Sequence, residues 1–292
     1  YAYLSLLGNS TEVGNLSIDG TRPDWAVIQN FEGVNGVDGS SFANATFTVN
    51  QTRDDLFNGY MRDNVSGSGT LQFVKKGAAT LTMDGRNITH TGGTRVMEGR
   101  LVSQGASLGG ASSANQLFIN SNAVLEYNLT NAPGFGNGVV QKGSTITGAG
   151  TLEKTGQGAL IFGGLGQVNV AMDAGSWIRL MEGDIKAHNC VQANWDNNKA
   201  SLYVNTNSTF WQVEGNVTVG ALAGGGDIIL GYSWPNFQPV MTIGYGDASS
   251  EFSGRMTEAS AWGGKGIVTK IGKGTQTFSG ASNVITGNFT VN

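Results

Sequence analysis

The chain alternates. Ala45-Thr-Phe-Thr-Val49, Leu16-Ser-Ile18, Thr80-Leu-Thr-Met83, Asn216-Val-Thr-Val219 and Asn288-Phe-Thr-Val291 each place apolar and polar residues at period 2, bounded by Gly or Asn. Successive side chains of a strand point to opposite faces, so this pattern predicts short strands. No run of ten or more residues holds a helical spacing; Asp184 to Lys199 comes nearest and lacks clear caps. The expectation is an all-β chain of short strands and tight turns.

The pattern also recurs. Residues 57–97 and 252–292 align without a gap at an offset of 195, with 12 of 41 pairs identical, from Phe57/Phe252 to Val96/Val291. A shorter copy lies between them, Lys154-Thr-Gly-Gln-Gly-Ala-Leu-Ile-Phe-Gly-Gly164, and Met181-Glu-Gly183 repeats Met97-Glu-Gly99. Gly14-Asn-Leu-Ser-Ile18 echoes Gly215-Asn-Val-Thr-Val219. Strands this short cannot offset the entropy of ordering them unless neighbours stack on them, so the recurrence predicts a solenoid. With coils of about 20 residues, the chain would hold on the order of 13.

Composition narrows the class. The 46 Gly and 4 Pro among 292 residues suit many tight turns. Charged residues are only 13%, too few for a disordered polar chain. Net charge is −4 with no basic stripe, which argues against nucleic acid as a partner. The single Cys190 allows no internal disulfide, as in a bacterial secreted protein rather than a disulfide-stapled one. No apolar run of 18 residues exists. The chain opens at Tyr1 without Met and closes at Asn292 inside a repeat, so it reads as a processed or truncated piece of something longer.

Lys75-Lys-Gly-Ala-Ala-Thr-Leu-Thr-Met-Asp-Gly85 and Lys270-Ile-Gly-Lys-Gly-Thr-Gln-Thr-Phe-Ser-Gly280 resemble the autotransporter-associated repeat of bacterial passenger domains. Phe57-Asn-Gly59 and Phe252-Ser-Gly254 look like its F-x-G step. Gly69-Thr-Leu71 and Gly150-Thr-Leu152 look like its G-x-L step. Thr91-Gly-Gly-Thr-Arg-Val96 and Thr286-Gly-Asn-Phe-Thr-Val291 look like its T-G-x-T-x-V strand. The matches fall near 45–102, 148–185 and 215–292, within one expected segment over 1–292. Ala79 and Gln276 depart from the pattern. The resemblance implies a right-handed parallel β-helix, a β-solenoid. It implies export to the cell surface or beyond, through an outer-membrane β-barrel translocator that these residues do not include. Passengers of this kind act as adhesins or self-associating surface proteins, as released toxins or signalling proteins, or as stalks.

Candidate chemistry is thin. Only His90 and His188 could serve as bases, and His90 aligns with Ile285, which favours a turn or strand-face role. His188-Asn-Cys190 supplies too few ligands for structural zinc. Asp54 and Asp55 are adjacent, hence on opposite faces of a strand, and align with Ser249 and Ser250. Gly224-Gly-Gly-Asp227 reads as a turn rather than a calcium repeat. Lys75, Lys154 and Lys270 recur at strand ends with snorkelling stems, each two residues before a glycine of positive φ. The ten Asn-x-Ser/Thr sequons read mainly as turn asparagines stacked between coils. The expectation is therefore a non-enzyme without metal or cofactor. Its ligand residues would be Tyr232, Trp234 and Phe237, in a loop leaving the solenoid at 229–239, with Trp195 a weaker fourth. The expected partner is a host-cell receptor, a glycan or a second copy.

Overall fold

The computed structural model describes residues 2–18, 25–31, 42–64, 67–84, 88–104, 108–110, 115–130, 138–141, 143–164, 167–188, 193–232, 238–259 and 264–292. Among these there is no α-helix, and the strands stack in parallel into a β-solenoid of about nine turns. The chain climbs by visiting three walls in turn. The first wall is a ten-stranded sheet running from Asp55–Phe57 to Gln276–Phe278. The second is an eight-stranded sheet from Thr11–Val13 to Ala193–Asn194, succeeded by four strands from Val217–Val219 to Phe289–Val291. The third holds Ala2–Ser5, Ala26–Gln29 and Tyr60–Arg62, then a six-stranded sheet from Gly138–Gln141 to Arg255–Glu258.

Alternation decides which residues enter the core. On the first wall Leu81, Leu101, Leu125, Leu152, Ile178, Leu202 and Leu222 are register partners from coil to coil, all buried. Each contributes roughly 1.5–3 kcal/mol through removal from water. The other walls add their own inward rows, and one continuous apolar cluster runs from Leu6 to Val268. Coils are longer than the expected 20 residues. Leu81 meets Leu101 after 20 residues, but Leu125 meets Leu152 only after 27. Corners of variable length take up the difference, which is why about nine turns replace the expected 13.

The 195-residue recurrence is a whole number of coils. Asp55–Phe57 and Ser250–Phe252 are strands of the first wall at that offset, eight coils apart. Thr94–Val96 and Phe289–Val291 keep the same offset on the second wall. Of the strands expected from alternation, Thr80–Met83 has those bounds, and 45–49, 216–219 and 288–291 shift by one residue at an end. Leu16-Ser-Ile18 forms no strand. Ile18 N donates to Leu56 O at 3.1 Å, but Leu16 N is taken by the Gln51 side chain at 3.2 Å, which interrupts the ladder. Residues 184–199 hold two short strands, Asp184–Lys186 and Ala193–Asn194, and no helix among those described.

Candidate functional site

The outward side of the first wall carries a groove lined by binding-competent side chains. In Trp177–Leu180, Ile178 and Leu180 are buried in the core, so Trp177 and Arg179 must face out. Met181 continues that row. Tyr203 is the register partner of Arg179 one coil on, between the buried Leu202 and Val204. Trp177, Arg179, Met181 and Tyr203 line a shallow groove of about 290 Å3. The Arg179 guanidinium carbon lies 5.9 Å from the Trp177 ring centroid, within cation–π range. The Tyr203 hydroxyl donates to Asn205 Oδ1 at 3.3 Å.

Acids flank the groove, and each is already engaged. Glu153, the register partner of Arg179, accepts from Arg100 at 2.7 Å, and the same guanidinium binds Glu126. Burial alone would push the Arg100 guanidinium down; its bonds to Glu153 and Glu126 outweigh that and raise it. On the far side Glu251 accepts from the Ser279 hydroxyl at 2.6 Å. Arg179 is exposed and makes no ion pair among the described residues.

The corners are built differently. Lys75 Nζ donates to the carbonyls of Gly77 at 2.5 Å and Glu98 at 2.8 Å, and also to Ala79. Lys154 Nζ donates to Thr155 and Gly156 at 2.7 Å and to Glu182 at 3.1 Å. Lys270 repeats the first part, with Ile271 at 2.5 Å and Gly272 at 3.1 Å. An ammonium has three N–H donors, so three carbonyls satisfy it. Gly77, Gly156 and Gly272 have φ of 77°, 74° and 72°, the left-handed turn that the sequence pattern predicts. The expected snorkelling does not occur: all three lysines are buried and their charges point into the corner. Burial draws Lys75 and Lys154 down to about 8, against the partial opposition of nearby acids. Met97-Glu-Gly99 and Met181-Glu-Gly183 are the turns of the following coil, supplying the third carbonyl in each case.

The Lys75 and Lys270 corners fall in the two regions, 73–102 and 268–292, that match the model of the passenger-associated-transport-repeat; the Lys154 corner lies outside both. The chain carries autotransporter passenger repeats. No curated protein and no solved structure matches the chain. An autotransporter passenger implies an outer-membrane translocator as its export partner, and secretion or surface display as its destination.

Of the aromatic residues expected to bind ligand, Trp195 is corrected. It is fully buried, wedged edge-on between Phe162 at 5.7 Å and Phe210 at 6.0 Å, and its Nε1–H donates to Ala187 O at 3.0 Å. It follows Ala193 in the inward phase of a strand, so its turn-like neighbours mislead. Residues 229–232 belong to the solenoid's third wall, in Asp227–Tyr232, and do not leave it. The Tyr232 side chain, Trp234 and Phe237 lie outside the described residues, as does Cys190. Of the four, the structure places only the Trp195 side chain, in the core. The groove residues are ones that sequence reasoning passed over, although Trp177-Ile-Arg-Leu-Met181 displays them at every second position.

The polar residues of the passenger serve its coils. His90 is fully buried; its Nε2 sits 2.9 Å from Thr94 Oγ1, and burial lowers it to about 4, so it is neutral. His188, also buried and lowered by burial, has Nε2 2.9 Å from Asn216 O. Asp54 accepts from Thr80 N at 2.7 Å and its counterpart Ser249 accepts from Thr275 N at 2.8 Å, the same cap in both copies. Asp63 accepts from Leu71 N, Thr91 N and Thr91 Oγ1; Glu258, at the same offset of 195, accepts from Gly266 N, Thr286 N and Thr286 Oγ1. Partial burial pushes Glu258 up, but the Thr286 hydroxyl and the three backbone N–H groups outweigh this and hold it below the usual carboxylate range. Asp227 pairs with Arg255 at 2.7 Å. Among the described residues no cluster of three metal-ligating side chains occurs.

Proposed function

We propose that the chain is a non-catalytic binding passenger, secreted or displayed at a bacterial surface, that attaches to glycans on a host cell. The observation that carries this reading is the groove of Trp177, Arg179, Met181 and Tyr203 on the outward side of the first wall. Aromatic rings with one wet edge, an arginine and an adaptable methionine are the side chains that concentrate binding energy at recognition surfaces. Both histidines are buried in the solenoid, which supports a role without histidine acid–base chemistry at its surface.

A stalk is the second reading. It is favoured by the unbroken ladder of ten parallel strands on one wall, which spans about 43 Å at about 4.8 Å per step. Binding of the labelled 292-residue chain to host cells and to a glycan array separates the two readings. Saturable binding weakened by Trp177→Ala is expected. A folded chain that binds neither surface leaves the stalk.

A further inference from the structure

We propose that the groove on the first wall takes a sugar ring bearing a carboxylate, with Arg179 as the residue that selects the acid. This rests on the reading of the chain as a glycan-binding passenger and names its ligand class.

Three observations converge. First, the platform is of mixed character. Trp177 and Tyr203 stand diagonally on adjacent parallel strands, Trp177 opposite Ser201 and Tyr203 opposite Arg179, and offer apolar faces with polar edges. Sugar rings present C–H faces ringed by hydroxyls; Asn205 holds the Tyr203 hydroxyl through Oδ1 and Met181 O through Nδ2, which fixes the polar edge those hydroxyls would meet. Second, the volume of about 290 Å3 lies at the low end of small-ligand sites, which limits the occupant to one or two rings. Third, one cation at the groove is not bonded to a carboxylate. Glu126 and Glu153 are both engaged by Arg100, and Glu251 by Ser279. Arg179 makes no ion pair among the described residues, although Glu153 is its register partner, and its guanidinium carbon lies 5.9 Å from the Trp177 ring centroid at the groove. A planar guanidinium prefers the two-pronged geometry of a carboxylate, and the Arg179 fork, exposed and outside any ion pair among the described residues, is available to make it. A neutral sugar would use the rings and leave Arg179 idle. A linear acidic peptide would use Arg179 and leave the rings idle.

The test titrates the 292-residue chain calorimetrically with trigalacturonate and with sialyllactose, which carry the carboxylate on different sugars. Maltotriose and lactose are the neutral counterparts, and hexaglutamate is an acid without rings. At least one acidic sugar is expected to bind saturably and about tenfold tighter than its neutral counterpart. Trp177→Ala should weaken it about tenfold and Trp177→Phe far less. Arg179→Gln should bring the acidic sugar to the level of the neutral one. Both side chains face solvent, so circular dichroism and melting should match the parent; Tyr203→Leu provides an independent third variant. The proposal is overturned if neither acidic sugar binds, if Arg179→Gln keeps the preference, or if hexaglutamate binds as tightly. Neutral glycans that bind and are lost with Trp177→Ala would overturn the acid selection while leaving the glycan-binding passenger intact. Cell binding unaffected by Trp177→Ala would instead remove the groove from that reading.

Discussion

Lys154→Met tests the corner directly. The substitution keeps the stem and removes the ammonium, leaving the carbonyls of Thr155, Gly156 and Glu182 without their donor. Three hydrogen bonds to a charged group are worth about 1.5–3 kcal/mol each, so about 4–9 kcal/mol is lost. Against this, the fall of Lys154 from 10.5 to about 8 marks a charging penalty of about 3 kcal/mol that the variant no longer bears. The net loss centres on about 3 kcal/mol, a fall in Tm of about 5–10 °C for a chain of this size. Calorimetry at pH 7.5 measures it. The pH dependence gives a second arm. From about 8 to 10.5 the unfolded chain holds the Lys154 proton and the folded chain does not, so wild-type stability rises with pH across that window. The methionine variant lacks this contribution, so its deficit in urea melts should widen between pH 8 and 10 by up to about 3 kcal/mol. A variant that melts with the wild type, or a deficit that stays level across that window, would refute the reasoning.

Other parts of the coil give sharper yes-or-no outcomes. His90 is lowered from 6.5 to about 4, so the unfolded chain takes up the proton first and stability is lost as pH falls through that window, by about 3 kcal/mol. His90→Ile, which copies Ile285, should flatten the acid limb in urea melts at pH 7.5 and 4.5; an unchanged limb would place the acid sensitivity elsewhere. Gly183→Ala would put a Cβ 2.5–2.7 Å from the carbonyls of Gly156, Gln157 and Gly158 at a φ of 68°, and should abolish soluble folded protein or cost more than about 3 kcal/mol. Asp54→Ala should cost about 1 kcal/mol by uncapping Thr80 N, whereas Asp54→Ser should cost under about 0.5, because Ser249 already performs that role at Thr275. Equal losses in the two Asp54 variants, read by denaturant midpoint, would count against the cap.

The fold was legible because its two signals are local. Alternation in Thr80–Met83 needs only four residues to declare a strand, and the 195-residue offset needs only Phe57/Phe252 and their followers to declare stacking. Coil length was not legible, because corners vary while strands do not. Nor was the wall to which a motif belongs. Lys75 and Lys270 end strands of the second wall, yet Lys154 ends one of the first, although all three head the same words. The acids Asp63 and Glu258 escape an identity comparison because they differ in length, and only their shared N–H partners show them to be equivalent. The groove was half legible. Trp177, Arg179 and Met181 alternate visibly, but Tyr203 joins them through a register that no sequence spacing announces.

The displaced lysine corner has a consequence for how such a chain can lengthen. From Lys75 to Lys154 the path covers three coils and then one further wall, not a whole number of coils. Each corner is closed by its own lysine, its own glycine and, at Lys75 and Lys154, one carbonyl from the storey above; none of these refers to a particular wall. A copied stretch need not be inserted in phase. Any multiple of a third of a coil lands its corner on some edge of the prism and closes there. Growth by duplication out of phase is thereby tolerated at the Lys75-to-Lys154 step, whereas the 195-residue recurrence keeps a whole number of coils.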